Sequence, residues 1–139
     1  MARILAIDYG LKRTGIAVTD PLQLIATGLT TIESPKLMVF LKEYFVREIV
    51  ESILIGLPKN LNDTDTDITS HVKRIIIQLK KEFPAIPVIG LDERFTSKMA
   101  SRAMIEMGMN KKQRRNKAIV DEIAATILLQ GYLEGMRQA

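Results

Sequence analysis

The chain has 139 residues, a net charge of +4, no cysteine and one histidine, and its length suits a single domain over residues 1–139 that buries roughly 70% of the surface its unfolded form exposes. Thiol catalysis, Cys-ligated zinc and a disulfide framework are excluded, and His71 by itself excludes a His-rich metal site and disfavours a His-dependent triad. No apolar run approaches the ~20 residues of a membrane span and no secretory signal precedes the first strand, so a soluble cytoplasmic protein is expected.

Residues 3–8 form the first predicted strand. Ile4, Leu5, Ala6 and Ile7 are too uniformly apolar to leave a wet face, which puts this strand in the middle of a sheet. It stops at Asp8, and a carboxylate at the carboxyl end of a buried strand is where open α/β sheets place their chemistry. A turn-capping role suits an Asp at that position equally well. Gly10 frees the backbone to turn. Residues 14–19 make a second strand, antiparallel to the first because the connection is short.

Asp20-Pro21 marks a turn, and residues 28–33 are β-rich enough for a third strand. Ser34-Pro35 reads as a helix start, with Ser34 at the cap and Pro35 in the first helical position. Leu37, Phe40, Leu41, Tyr44 and Phe45 recur at helical spacing behind it. A fourth strand follows at Ile53-Leu54-Ile55 and ends at Gly56-Leu57-Pro58.

The polar stretch over residues 59–67 carries Asp63, Asp65 and Asp67, but it is not a calcium loop. The obligatory glycine would fall on Ile68 and the bidentate glutamate on Arg74. Turn chemistry and helix N-terminal charge account for it. Ile68, Val72, Ile75, Ile76, Leu79 and Phe83 then trace one helical face, with His71 at its solvent edge and assigned no role.

Pro84 and Pro87 bracket a turn into a fifth strand over residues 88–91, followed by Asp92-Glu93-Arg94. A helix capped by Thr96 or Ser97 runs to Met107, with Met99, Ala103, Met104 and Met107 as core filler. Gly108 stops it. Residues 110–117 hold five bases and no apolar residue, which reads as a loop. The last helix covers about 118–136, with Ile119, Ile123, Ala124, Ile127 and Leu128 packing inward. Helices after the third and fourth strands imply crossovers and parallel pairing further along the sheet.

Charge is unevenly spread. Residues 94–117 carry eight Lys and Arg against the single acid Glu106, a local +7 that leaves −3 for the remainder. A slightly acidic body with one basic region points to a polyanionic partner, although a solvated charge run is the commoner meaning of such a pattern.

Three acids could meet. Asp8 ends the first strand, Glu93 follows the fifth, and Asp121 lies on the last helix on a face shared with Ala125 and Leu128, near Ala124. Standing alone, Asp121 would only complement the helix dipole, worth ~0.3–1 kcal/mol. Two carboxylates ~4 Å apart repel by about 4 kcal/mol at an effective dielectric of 20, so a cluster needs protons or cations. Without His or Cys the donors are all oxygen, which favours Mg²⁺ or Mn²⁺. An all-carboxylate pair of such ions suits in-line displacement at phosphorus, one activating water and the other stabilising the leaving oxygen, with the basic segment on a nucleic-acid backbone.

Four blocks carry a resemblance: DYGLKRTGIAVTD at 8–20, GLPKN at 56–60, DERFTS at 92–97 and KAIVDEIAATILLQGYLE at 117–134. In this order and spacing they resemble the YqgF family, also called RuvX, over nearly the whole chain. The resemblance implies an α/β, RNase H-like fold: a five-stranded mixed sheet in the order 3-2-1-4-5, flanked by helices. It implies Asp8, Glu93 and Asp121 as metal-binding catalytic acids, with Asp92 in a supporting place. Substrate contacts are expected from Lys12, Arg13, Asn60, Arg94 and Lys117, and from the basic segment with Lys111, Lys112, Arg114 and Arg115.

One departure is Leu61-Asn62-Asp63-Thr64, where the family often has a glycine. Asn or Asp can take the left-handed conformation that such a glycine supplies, so the loop's shape is expected to be kept.

The resemblance also implies a nuclease that processes the 5′ end of the 16S ribosomal RNA precursor. A Holliday-junction-resolving DNA endonuclease is the alternative with the same acids. A non-catalytic nucleic-acid-binding domain is a third reading, which three retained acids oppose. An actin-like ATP-binding fold is a fourth, but it needs two lobes, and neither a GxxxxGK[ST] loop nor a GxGxxG turn is present. The expected partner is structured nucleic acid, precursor rRNA or branched DNA, with no membrane. The expected state is a monomer or weak homodimer.

Overall fold

Every residue from Ile4 to Ile7 is at most 2% exposed, so the first strand is covered on both faces, as its unbroken apolar run requires. In the computed structural model, which describes residues 2–57, 67–92 and 117–138, this strand is β1 (Arg3–Tyr9). β2 (Arg13–Thr19) and β3 (Ala26–Glu33) follow. A 3₁₀ turn (Ser34–Lys36) leads into α1 (Leu37–Arg47). Then come β4 (Val50–Leu57), α2 (Asp67–Glu82), β5 (Val88–Asp92) and α3 (Lys117–Gln138).

The sheet runs β3-β2-β1-β4-β5, the expected order. β1 pairs antiparallel with β2, and β2 antiparallel with β3. β1 and β4 are parallel, as are β4 and β5. The carboxyl ends of β1, β4 and β5 therefore share one edge of the sheet. The polar loop over 59–66, the helix expected up to Met107 and the basic loop over 110–116 lie outside the described residues.

Strand alternation sorts the core into two layers. Leu5, Ile7, Ile16, Val18, Ile53 and Ile55 face α1 and α2, where they meet Leu37, Leu41, Tyr44, Val72 and Leu79. Phe45 and Phe83 close the far side of this layer edge to face, their ring centroids 4.8 Å apart. Ile4, Ala6, Ala17 and Leu54 face α3 and meet Ala125, Leu128, Leu129 and Leu133. Each large side chain so buried contributes about 1.5–3 kcal/mol, enough to hold both helical layers on the sheet.

Two expectations are corrected. Ser34 is not a helix cap: Glu33 occupies the cap position without a side-chain hydrogen bond, and Ser34 is buried as the first residue of the 3₁₀ turn. The inward face of α3 is only partly the expected one: Ala124 and Leu128 are buried as expected, and the side chain of Ile119 lies outside the described residues. Ala124, Ala125, Leu128, Leu129 and Leu133 are buried, whereas Ile123 and Ile127 are only partly so. The small residues Ala6 and Ala17 of the sheet let the face with Ala125, Leu128, Leu129 and Leu133 settle inward, and leave Ile123 and Ile127 at its margin. No described helix is long and apolar enough to cross a membrane.

The turn after β2 has its own organiser. The Asp20 carboxylate accepts backbone N–H bonds from Leu22, Leu24 and Ile25 at 3.1, 2.8 and 2.8 Å, while Gln23 takes the left-handed conformation at φ 58°. The Ile25 amide first, then those of Leu24 and Leu22, hold the Asp20 carboxyl below its ordinary value of 3.8. A depressed carboxyl stabilises the fold above its unfolded pKa, and the contribution is lost as pH falls through the folded value. Asp20→Ala is expected to lower the melting temperature at neutral pH, with the gap to wild type closing below pH 3.8. Thermal melts between about pH 7 and pH 2.5 check this.

Candidate active site

Asp8 continues the alternation of Ile4 and Ala6, so it projects to the α3 side of the sheet at the carboxyl end of β1. Its partner across the ladder is Gly15 of β2, and directly opposed residues of an antiparallel pair present the same face. A Cβ built on Gly15 would run into the backbone carbonyl of Asp121 and lie 2.9 Å from the Glu122 amide nitrogen. The first turns of α3 thus lie directly on Gly15. The fold brings Asp8 and Asp121 to either side of this one glycine.

Asp121 also meets a cation. Its Oδ2 lies 3.5 Å from Arg13 Nε, with the two side chains 26% and 36% exposed. That separation makes an ion pair but exceeds an ordinary N–H···O bond, and Arg13 Nε is buried without a hydrogen-bond partner. Part-exposed and loosely aligned, the pair is worth at most about 1 kcal/mol. It offsets some of the negative charge of Asp121 without binding its carboxylate tightly. Arg13 therefore lies beside Asp121, and Lys12 is exposed in the preceding turn.

The turn that carries both bases is pinned from behind. The Ser34 amide donates to Lys12 O at 2.9 Å, and the Ser34 hydroxyl donates to Gly10 O. The Ser34 proton being used there, the Thr14 hydroxyl donates to Ser34 Oγ at 2.8 Å. Thr14 is 0% and Ser34 6% exposed. A side chain at Gly10 would strike Arg13 O, so the turn is closed as tightly as glycine permits. Sequence reasoning missed this clamp, because Ser before Pro carries the same signature whether it caps a helix or reaches back to a turn.

The remaining expected site residues are distributed as follows. Glu93, Asn60, Arg94, Lys111, Lys112, Arg114 and Arg115 lie outside the described residues. Lys117 opens α3, and Asp92 closes β5 opposite Leu57 of β4, on the sheet edge where β1 ends. Among the described residues no group of three or more His, Cys, Asp or Glu gathers in metal-binding proximity. The carboxylates of Asp8 and Asp121 are hard oxygen donors, the chemistry that suits Mg²⁺ or Mn²⁺.

A mixed sheet in the order 3-2-1-4-5, with helices packed on both faces, is an RNase H-like fold. Thermus thermophilus RuvC in complex with a Holliday junction substrate shares this fold at a TM-score of 0.57 and 14% identity, over 98% of this chain and 96% of that one. A second Thermus thermophilus RuvC structure aligns at a TM-score of 0.53 and 13% identity, over 97% and 96%. The chain belongs to the RuvX family, described as Holliday junction resolvase, whose profile matches residues 2–135. It is 54% identical over 133 residues to a Christiangramia forsetii protein named "Putative pre-16S rRNA nuclease", covering 96% of this chain and 98% of that one. A Bacteroides thetaiotaomicron protein of the same name is 55% identical over 137 residues, 99% of each chain.

Removing one member of a buried hydroxyl pair strands the other. Ser34→Ala should therefore cost about 1–3 kcal/mol in urea unfolding. Combined with Thr14→Val, the loss should be smaller than the sum of the two single losses. Strict additivity would show that the two hydroxyls act independently.

Proposed function

We propose that this chain is a divalent-metal-dependent nuclease that hydrolyses phosphodiester bonds of structured nucleic acid, with the 5′ end of the 16S rRNA precursor as substrate. The observation carrying the reading is the placement of Asp8 and Asp121 on either side of Gly15, beside Arg13. Asp8, Asp121 and Glu93 would hold Mg²⁺ or Mn²⁺. Glu93 follows β5 in the chain, and β5 ends on the same sheet edge as β1. When bound there, the ion supplies Lewis acidity to the phosphodiester and lowers the pKa of water.

This chain's own residues do the rest. The acids orient the reacting centre, and Arg13 lies where a substrate phosphate can draw its guanidinium away from Asp121. A bidentate phosphate contact is stronger than the 3.5 Å ion pair it replaces. Lys12, Asn60, Arg94, Lys117 and the basic residues Lys111, Lys112, Arg114 and Arg115 engage the backbone, an electrostatic contribution that weakens as salt rises. Relatives named as pre-16S rRNA nucleases, at 54 and 55% identity over nearly the whole chain, support RNA as substrate.

The family description favours a second reading, cleavage of a four-way DNA junction. One chain carries one such site, so symmetric junction cleavage would require two copies.

The test incubates purified protein with precursor rRNA and, in parallel, a four-way DNA junction, each with Mg²⁺ or Mn²⁺. Loss of a metal ligand removes several kcal/mol of transition-state stabilisation. At about 1.4 kcal/mol per tenfold, Asp8→Asn and Asp121→Asn should each slow cleavage at least ~100-fold. Cleavage that survives both substitutions places the chemistry elsewhere. Cleavage of the junction alone transfers the assignment to DNA.

A further inference from the structure

We infer that Gly15 is the positioning residue that sets the separation of the Asp8 and Asp121 carboxylates, and with it their grip on a divalent cation. The inference rests on the reading of those acids as metal ligands. Three contacts meet at this residue. Asp8 is its ladder partner, the Asp121 carbonyl occupies the space of its missing side chain, and the Glu122 amide nitrogen lies 2.9 Å from the same point. The helix that carries one acid rests on the strand position that faces the other.

A glycine inside a strand costs about 0.5–1 kcal/mol relative to alanine, and β2 is buried throughout at Gly15 and beyond. Close approach of α3 gives that cost a reason. The obstruction at Gly15 is main chain, which no rotamer can move aside. Carbon atoms rest about 3.5–4 Å apart, so a methyl group there forces the start of α3 outward by the order of 1 Å. A misplacement of that size is enough to spoil a preorganised site.

Gly28 provides the internal comparison. On the next strand and under the same helix, the three atoms nearest its missing Cβ all belong to the Glu122 side chain, Oε1 at 2.5 Å, Cγ at 2.8 Å and Cδ at 3.1 Å. That side chain is flexible and can swing clear, leaving the helix backbone in place. Alanine at 28 should be felt by Glu122 and not by Asp121.

The test is Mn²⁺-dependent thermal stabilisation, which needs neither substrate nor turnover, because a ligand that binds the native state raises its melting temperature. Millimolar MnCl₂ is expected to stabilise wild type and Gly28→Ala equally. The response of Gly15→Ala should correspond to an affinity lower by tenfold or more. Asp121→Glu alone should also weaken the response, because the spacing suits the shorter acid. Placed in the Gly15→Ala protein, Asp121→Glu should restore it, its extra methylene spanning the widened gap.

A folded Gly15→Ala protein with a wild-type Mn²⁺ response overturns the inference, as does absence of rescue by Asp121→Glu. Should Gly15→Ala not fold, a wild-type response from Asp121→Glu alone overturns it. Asp8→Asn separates the two levels of the argument. If it responds to Mn²⁺ as wild type does, the metal reading fails and the spacing inference with it. If it loses the response while Gly15→Ala keeps it, only the spacing inference fails.

Discussion

The close seat of α3 on the sheet is the constraint from which the rest of the molecule follows. It is possible because the facing surfaces are made of small residues: Gly15 and Ala17 on β2, Ala6 on β1, and Ala124 and Ala125 on the helix. Further along α3 the contacts enlarge to Leu128, Leu129 and Leu133 against Ile4 and Leu54. The helix is anchored by large side chains in its later turns and lies nearly on the backbone in its earlier ones. Asp121 is in the earlier part, where a displacement of the helix is least absorbed by pliable side chains.

The same seat organises charge. Asp8 pairs with Gly15 across the ladder, Asp121 belongs to the helix turn that lies on Gly15, and Arg13 forms an ion pair with Asp121. Arg13 reaches α3 because it belongs to the same alternating set of β2 residues as Gly15 and Ala17, all of which project to that face. Its turn is held by Ser34, which joins the end of β3 to the carbonyls of Gly10 and Lys12. The β1–β2 turn is thus fastened from the opposite layer, and the cation beside Asp121 comes from a rigid support.

Much of the architecture was legible before any coordinates. Ile4-Leu5-Ala6-Ile7 announced a strand buried on both faces. The short Gly10 connection implied an antiparallel neighbour, and helices after the third and fourth strands implied parallel pairing. The face of α3 was legible only in part, at Ala124 and Leu128. Apolar residues surround the helix, with Ile119, Val120, Ile123, Ala124, Ala125, Ile127, Leu128 and Leu129 in succession, so periodicity alone selects no direction. The choice falls to the sheet, whose small residues accept Ala125 and Leu129 and leave Ile123 and Ile127 at the margin. Ser34 was misread for a related reason: its local sequence is the same for a helix cap and for a long-range clamp.

By itself the sequence determined the strand and helix order, the central place of β1, the acids worth suspecting and the basic character of residues 94–117, because periodicity, turn chemistry and charge are local properties. Only the tertiary structure decided that Asp8 and Asp121 share Gly15, that Arg13 faces Asp121, and that Ser34 holds the turn between β1 and β2. Those relations join residues as far apart in the chain as 8 and 121. They arise from which side chains are small enough to let a helix settle onto a sheet, a property of two surfaces in contact that neither segment carries alone.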